Sequence, residues 1–311
     1  MKSRVQLGPV VVFLTLAINT AIAQQDGSPP RGIIQQYGIN AASSLQSVTA
    51  DPDSIPLLRS YSAVSDEILQ NPPESDWITW RRTYDNQGNS PLDEVNRLNV
   101  TNLQLAWHQP VTPGNNMPTP LVHDGVMFLY SAGDVVLAMD ASNGELLWRY
   151  SHDGSAVTSH KFGIALHENK VLVPTSDLHM VALDARSGNV IWDHAIDTNG
   201  NTGHALRSAP TIAGGQVIQG MAASRVPGGG FIIAIDLQTG EETWRFNTLA
   251  RPSEPGGNTW NNIPLQERQG GSVWNTGSYD AELDLVFYGV SPTYNTAPLL
   301  YPLGIEGVSN D

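Results

Sequence analysis

The chain has 311 residues, 40% of them hydrophobic, which is enough to bury the core of one large β domain or two smaller ones. Charged residues make up only 15% against 29 Gly and 21 Pro, a balance that favours many turns over long helices. A net charge of −14 with no basic cluster argues against nucleic acid or an anionic membrane surface as partner, and with zero Cys there is no disulfide, thiolate metal site, cysteine nucleophile or lipid-bearing cysteine.

The N-terminus reads as a secretory signal over residues 1–23: Lys2 and Arg4 precede the apolar run Val10 to Ile18, and Ala21-Ile22-Ala23 precedes Gln24. That run is too short to span a bilayer as a helix, so export is expected, and the mature chain would carry −16. Residues 24–60 read as a mobile leader, Gln-, Ser-, Pro- and Ala-rich as far as about Asp53. Tyr61 to Gln70 is predicted as a short helix stopped by Pro72-Pro73, and residues 61–311 as the folded domain.

From Leu137 the chain writes Ala138-Met139-Asp140-Ala141-Ser142-Asn143-Gly144-Glu145-Leu146-Leu147-Trp148, and it repeats the spacing A-x-D-x-x-x-G-x-x-x-W at Ala182/Asp184/Gly188/Trp192 and Ala234/Asp236/Gly240/Trp244. Each copy has the physics of a β-hairpin: an apolar strand, an Asp that caps the turn through its own backbone, a Gly supplying positive φ, and a second strand carrying the Trp. A bulky indole at a fixed place suits a slot between neighbouring sheets, provided its N–H finds a partner. The tryptophans stand 44 and 52 residues apart, and Trp107 precedes Trp148 by 41, so Trp107 joins the series. Between successive tryptophans lie strand-turn-strand cadences, Thr119 to Leu129, Ile164 to Val173 and Ala209 to Ile218, so each interval holds about two hairpins. Repeats of this length are four-stranded propeller blades, and the fold class is therefore all-β, a β-propeller of antiparallel blades.

The opening W-x-x-W-R-R-T-Y-D-x-x-G-x-S-P-L (Trp77 to Leu92), the Trp-marked repeat and the block Gly270-Gly271-Ser272-Val273-Trp274-Asn275 with Tyr279-Asp280-Ala281-Glu282-Leu283-Asp284-Leu285-Val286 together resemble the pyrroloquinoline-quinone (PQQ) dependent alcohol dehydrogenases, over about Asp76 to Asp311. The resemblance implies an eight-bladed propeller of which this chain holds about half, a PQQ cofactor on the axis, and oxidation of an alcohol or sugar with electrons passed to a soluble acceptor such as a cytochrome c. It maps the quinone-stacking Trp onto Trp274. The family's vicinal cysteines fall near Ala156-Val157, its metal-binding Glu at Arg225 and its metal-binding Asn at Ser291-Pro292, so its usual Ca²⁺ site is in doubt. Asn275 or Asn295 could serve there instead. Arg207 and Arg225 are candidates to pair with the quinone's carboxylates in place of the metal. The family's catalytic Asp falls beyond residue 311, so no catalytic residue is assigned. A second reading is a non-catalytic propeller acting as a binding scaffold, like the outer-membrane-protein assembly lipoproteins, which share the repeat; a third is an incomplete copy of the enzyme. Half a ring would leave strand edges open, so self-association or a completing chain is expected.

The eight His are scattered singly and read as turn or surface residues, without a metal site. Asp197 to Asn201 lacks the Gly and the acid of a calcium loop, and Gly228-Gly229-Gly230 precedes a strand, so neither is a calcium nor a phosphate site.

Overall fold

A computed structural model describes residues 46–154, 163–260 and 262–294. The signal sequence, Ala156-Val157 and Asn295 lie outside the described residues.

Three four-stranded antiparallel sheets follow one another along the chain. The first is β1 (Leu121–His123), β2 (Val126–Ser131), β3 (Val135–Asp140) and β4 (Leu146–Ser151). The second is β5 (Ala165–His167), β6 (Lys170–Pro174), β7 (His179–Asp184) and β8 (Val190–Ala195); the third is β9 (Thr211–Ala213), β10 (Gln216–Gly220), β11 (Phe231–Asp236) and β12 (Glu242–Asn247). Each is a meander in sequence order, as a propeller blade is. Among the described residues a fourth region has two-stranded pieces: β13 (Gln269–Gly270) with β16 (Thr293–Tyr294), and β14 (Ser278–Asp280) with β15 (Leu285–Phe287). The first strands approach one another, β5 with β9 and β9 with β14, which sets them on the inner side of a partial ring.

The repeat folds as its residues dictate. Asp140, Asp184 and Asp236 each accept backbone N–H groups two or three residues on, and Gly144, Gly188 and Gly240 follow with φ near +75° (76°, 76° and 73°). Across each hairpin the motif's Ala faces its Trp: Ala138 opposite Trp148, Ala182 opposite Trp192, Ala234 opposite Trp244. Trp107, Trp148 and Trp192 then reach into the next sheet. Their indole N–H groups donate to the carbonyls of Ala141 (3.1 Å), Ala185 (2.9 Å) and Leu237 (3.1 Å). A Cβ on Gly144, Gly188 or Gly240 would fall within 2.8 Å of those rings, so a side chain there would displace the indole. Trp107 belongs to the series as expected, although it docks from outside any strand.

The N-terminal part is less helical than predicted. Tyr61 to Gln70 splits: α1 (Pro56–Ser60) ends before it and α2 (Asp66–Gln70) starts from Ser65, whose hydroxyl accepts the Ile68 N–H. Val64 between them is extended and exchanges two backbone hydrogen bonds with Glu168, which rewards strand geometry over helix. Within the stretch read as a leader, residues 46–60 are tied to the sheets: Val48 pairs with Arg149 on β4, the Ala50 N–H donates to Ser187, and Leu58 is fully buried.

In a meander blade the β1–β2 and β3–β4 turns share one end, here called the lower; the β2–β3 turn and the crossing to the next blade share the upper. Residues 50–70 contact lower turns, at Asp124, Glu168 and Ser187. The chain then enters the ring. Trp77 exchanges two backbone bonds with Val122 on the inner edge of β1, and Tyr84 accepts the Tyr279 N–H on the inner edge of β14. Residues 76–86 thus run through the centre of the partial ring and emerge at the upper end, where Asn86 meets Gly277.

Candidate functional site

Three upper-end segments converge: the approach to β9 (205–210), the β10–β11 connection (221–230) and the approach to β14 (271–277). The Val273 N–H donates to Met221 (3.1 Å), the Ala223 N–H to the Ser272 hydroxyl (2.9 Å), Ala205 bridges Ala222, and the Thr276 hydroxyl donates to Ala209 (3.1 Å). The glycines make this possible. A Cβ on Gly220 would stand 2.4 Å from Val273, and one on Gly230 would stand 2.5 Å from the Gly271 carbonyl. The run Gly228-Gly229-Gly230 is therefore a point of close backbone approach.

Trp274 sits on this junction. Val273 before it is completely buried and Gly277 after it is buried, yet Trp274 itself is 46% exposed. Trp148, the docking indole of the first blade, is 0% exposed. The two tryptophans do different work: Trp148 fills a blade boundary, whereas Trp274 presents an aromatic face from a loop held on both sides.

Arg207 is half-buried and Arg225 exposed, and neither makes a hydrogen bond or ion pair with another described residue. The structure brings their segments together with that of Trp274. Nearby stand three guanidiniums that sequence reasoning missed. Arg251 donates to the Gly228 carbonyl and to Asn247 Oδ1. Arg268, 4% exposed, donates to the carbonyls of Ile263 (3.0 Å), Ala250 (2.7 Å) and Gly257 (3.0 Å) and stacks on Trp260. Arg245 pairs with Glu242 at 2.6 Å. Burial, and to a lesser degree Arg245 and Arg268, hold the Arg251 guanidinium below its usual pKa although Glu254 opposes this; burial likewise lowers His204, against its hydrogen bonds to Gly229 and Asn201. Arg245 and Arg251 have Glu242 and Glu254 beside them, whereas Arg207, Arg225 and Arg268 pair with no carboxylate among the described residues. An aromatic platform beside positive groups suits a planar polyanion. At the place the resemblance gives the metal-binding Glu, the Arg225 side chain offers a cation and no oxygen, which does not fit calcium.

Ser291 and Pro292 lie beside the platform through their backbones, the Ser291 N–H donating to Ser272 and the Gly271 N–H to Pro292. Asn275 follows Trp274 and is half-buried.

The histidines correct the expectation of turn and surface roles. His123, His152 and His167 are buried and meet carboxylates: His123 with Asp76 (2.5 Å), His152 with Asp177 (3.0 Å), His167 with Asp66 (3.0 Å). Each acid comes from a distant stretch or another strand connection, so no sequence spacing reveals the pairs. Burial pushes the His123 pKa down, but the hydrogen bond and charge of Asp76, with Asp124 behind them, outweigh it and leave it raised. Ser62 Oγ lies 3.2 Å from His123 Nε2, a Ser-His-Asp sequence of contacts. The hydroxyl lies 2.6 Å from Asp124 and donates there, as does the Ser62 N–H, so Ser62 is a clamp on the β1–β2 turn and not a nucleophile.

The sequence profile of the PQQ family described as "Glucose/ethanol/alcohol dehydrogenase, beta-propeller domain" matches residues 77–297. The chain belongs to this family. The dehydrogenase subunit of the quinone alcohol dehydrogenase of Gluconacetobacter polyoxogenes is 36% identical over 258 residues, covering 74% of this chain and 35% of the relative. A quinohemoprotein alcohol dehydrogenase of Pseudomonas putida is 33% identical over 234 residues, 69% of this chain and 34% of its own. The solved structure of a second such enzyme, from P. putida HK5, superposes with a TM-score of 0.67 at 29% identity, over 75% of this chain and 37% of that one. The chain thus spans about a third of the length of these curated relatives. PQQ is the cofactor of this quinoprotein family, and the exposed, doubly anchored Trp274 beside arginines fits such a ring.

Proposed function

We propose that this chain forms the cofactor-holding part of a periplasmic PQQ-dependent dehydrogenase that oxidises an alcohol or sugar and delivers electrons to a soluble acceptor such as a cytochrome c. The observation that carries the reading is Trp274, an indole held on both flanks and left half-exposed where the inner strands meet. When bound, PQQ would supply the electrophilic quinone that alcohol oxidation requires, and Trp274, Arg207 and Arg225 would hold it.

The chain's own residues bind and orient. Trp274 offers a face of large area and little conformational freedom, worth most when stacking excludes water from both surfaces. Arg207 and Arg225 have no carboxylate among the described residues, so their charge is available to an anionic ligand at no cost of breaking an internal pair. Arg268 donates to backbone carbonyls, and Arg251 to the Gly228 carbonyl and Asn247 Oδ1, which holds the stretch around residues 247–268. No proton transfer is assigned to a described residue.

A second reading, a non-catalytic propeller that binds other molecules, is favoured by the absence of cysteine and by Arg225 at the family's metal-ligand position. Titrating the purified chain with PQQ, followed by tryptophan quenching and PQQ absorbance, separates the two. Saturable binding that Trp274→Ala abolishes supports the dehydrogenase reading. Binding at no concentration up to solubility, with or without Ca²⁺, would leave the scaffold.

A further inference from the structure

The opening motif Trp77 to Leu92 is not explained by blade formation, since it contributes to none of the four-stranded sheets. Its path explains it. The lower end is fixed by the buried Asp76–His123 pair and by the two backbone bonds between Trp77 and Val122. At the upper end, Tyr84 accepts the Tyr279 N–H at 3.3 Å and packs edge-on against the Tyr279 ring, centroids 5.1 Å apart. Asn86 then donates its side-chain amide to the Gly277 carbonyl at 2.9 Å, across 191 residues of sequence. That carbonyl also accepts the Thr211 hydroxyl at 3.2 Å. A small cavity of about 20 Å³ separates the segment from the inner strands here, lined by Thr79, Tyr84 and Asn86 on one side and by Thr211, Thr276 and Gly277 on the other. The cavity is about the size of one water, and the Tyr84–Tyr279 ring contact and the polar tethers span it.

Asn86 is shaped for the role. Its φ is +58°, a left-handed value that Asn tolerates better than other side chains, and its N–H closes a turn onto Thr83 at 3.0 Å. The amide is thus aimed by a rigid turn, not by a flexible arm. Gly277 in turn cannot retreat: a Cβ there would meet the Tyr288 ring at 2.6 Å, so its backbone already lies against that ring.

We propose that Asn86 is a positioning residue for Trp274, setting from the centre of the ring the far end of the loop that presents the indole to the cofactor. The near end is set by Val273 on Met221; Asn86, with the hydroxyls of Thr211 and Thr276, sets the other. The inference rests on the reading of Trp274 as the cofactor's platform.

The test uses the whole chain carrying 5-fluorotryptophan, with the Trp274 fluorine resonance assigned by its loss in Trp274→Phe. Asn86→Asp keeps the turn but replaces the donor by an acceptor, Asn86→Gly keeps the positive φ but deletes the amide, and Gln87→Ala serves as control, since among the described residues the Gln87 amide bonds Asp85 alone. Both Asn86 variants are expected to shift or broaden the Trp274 resonance, to leave that of Trp148 in place, and to raise the Kd for PQQ about tenfold, the loss of one well-placed hydrogen bond. Unchanged Trp274 resonances in both variants overturn the proposal. So does collapse of the Trp148 signal as well, which would make Asn86 a general structural residue, and so does unaltered PQQ affinity where Trp274→Ala abolishes binding. If instead Trp274→Ala leaves PQQ binding intact while the Asn86 variants still move the indole, the tether stands and the cofactor reading fails.

Discussion

The six-membered ring of Trp148 stands so close to Gly188 of the following blade that a Cβ at that position would lie 2.8 Å from Cε3. The contact is reinforced three residues earlier, where the indole N–H donates to the Ala185 carbonyl. Gly188 therefore meets two demands together, a φ of +76° and an empty space for the ring. Gly188→Ala is expected to cost about 2–4 kcal/mol, from left-handed strain plus overpacking. In a Trp148→Ala background the steric part is gone, so the two losses should be less than additive by about 1–2 kcal/mol. Urea unfolding of the two single variants and the double variant measures this; full additivity would count against docking as the blade-to-blade bond.

The group Ser62, Asp76, His123 and Asp124 ties three separated stretches together and should give stability a pH signature. The raised pKa of His123 means that its contribution is complete below the ordinary 6.5 and is lost as pH rises through the raised value. Asp124 works the other way. Burial alone would raise its carboxyl, but the hydrogen bonds from Ser62 and the His123 charge lower it, so its contribution holds above the ordinary 3.8 and is lost as pH falls through the lowered value. The clamp is tightest between these limits. Thermal midpoints taken from about pH 5 to 9 should fall along the alkaline limb in the native chain and run flatter there in His123→Asn. Parallel curves for the two proteins would show that His123 is not the group responsible.

Charge at the platform should be visible in PQQ binding. Arg207→Gln and Arg225→Gln are each expected to raise the Kd about tenfold, the scale of a hydrogen bond to a charged group, and to reduce its dependence on ionic strength. Added Ca²⁺ should not restore the affinity. Restoration by Ca²⁺ would mean that a metal holds the quinone's carboxylates, and equal salt dependence in all three proteins would remove the arginines from the site.

Arg268 offers its fork to three carbonyls and not to an acid, so the geometry of the group matters more than its charge. Arg268→Lys keeps the charge and cannot span the three acceptors, leaving buried carbonyls unmet at a cost of about 2–3 kcal/mol. The loop it organises, 247–268, should then open to limited proteolysis ahead of the blades. Cleavage rates matching the native chain would show that the loop is held by other contacts.

How much of this could be read beforehand follows from the range of each interaction. The blade repeat was legible because its demands are local: Asp140, Gly144 and Trp148 act within one hairpin, and a turn's φ and cap leave a fixed spacing in the sequence. Trp274 stood out because it falls outside that spacing. The short α2 was overdrawn because Val64 is recruited by Glu168 from another part of the chain, and a ladder bond of that kind has no local signature.

The sequence by itself therefore determined the sheets, their turns, the docking of one blade on the next and the family. The tertiary structure alone decided which singly scattered polar residues meet: His123 with Asp76, Arg268 with its carbonyls, and Asn86 with Gly277 across the centre of the ring. The physical reason is that a backbone turn restricts neighbours along the chain, whereas burial selects partners by distance in space, and those partners can lie 191 residues apart in sequence, as Asn86 and Gly277 do.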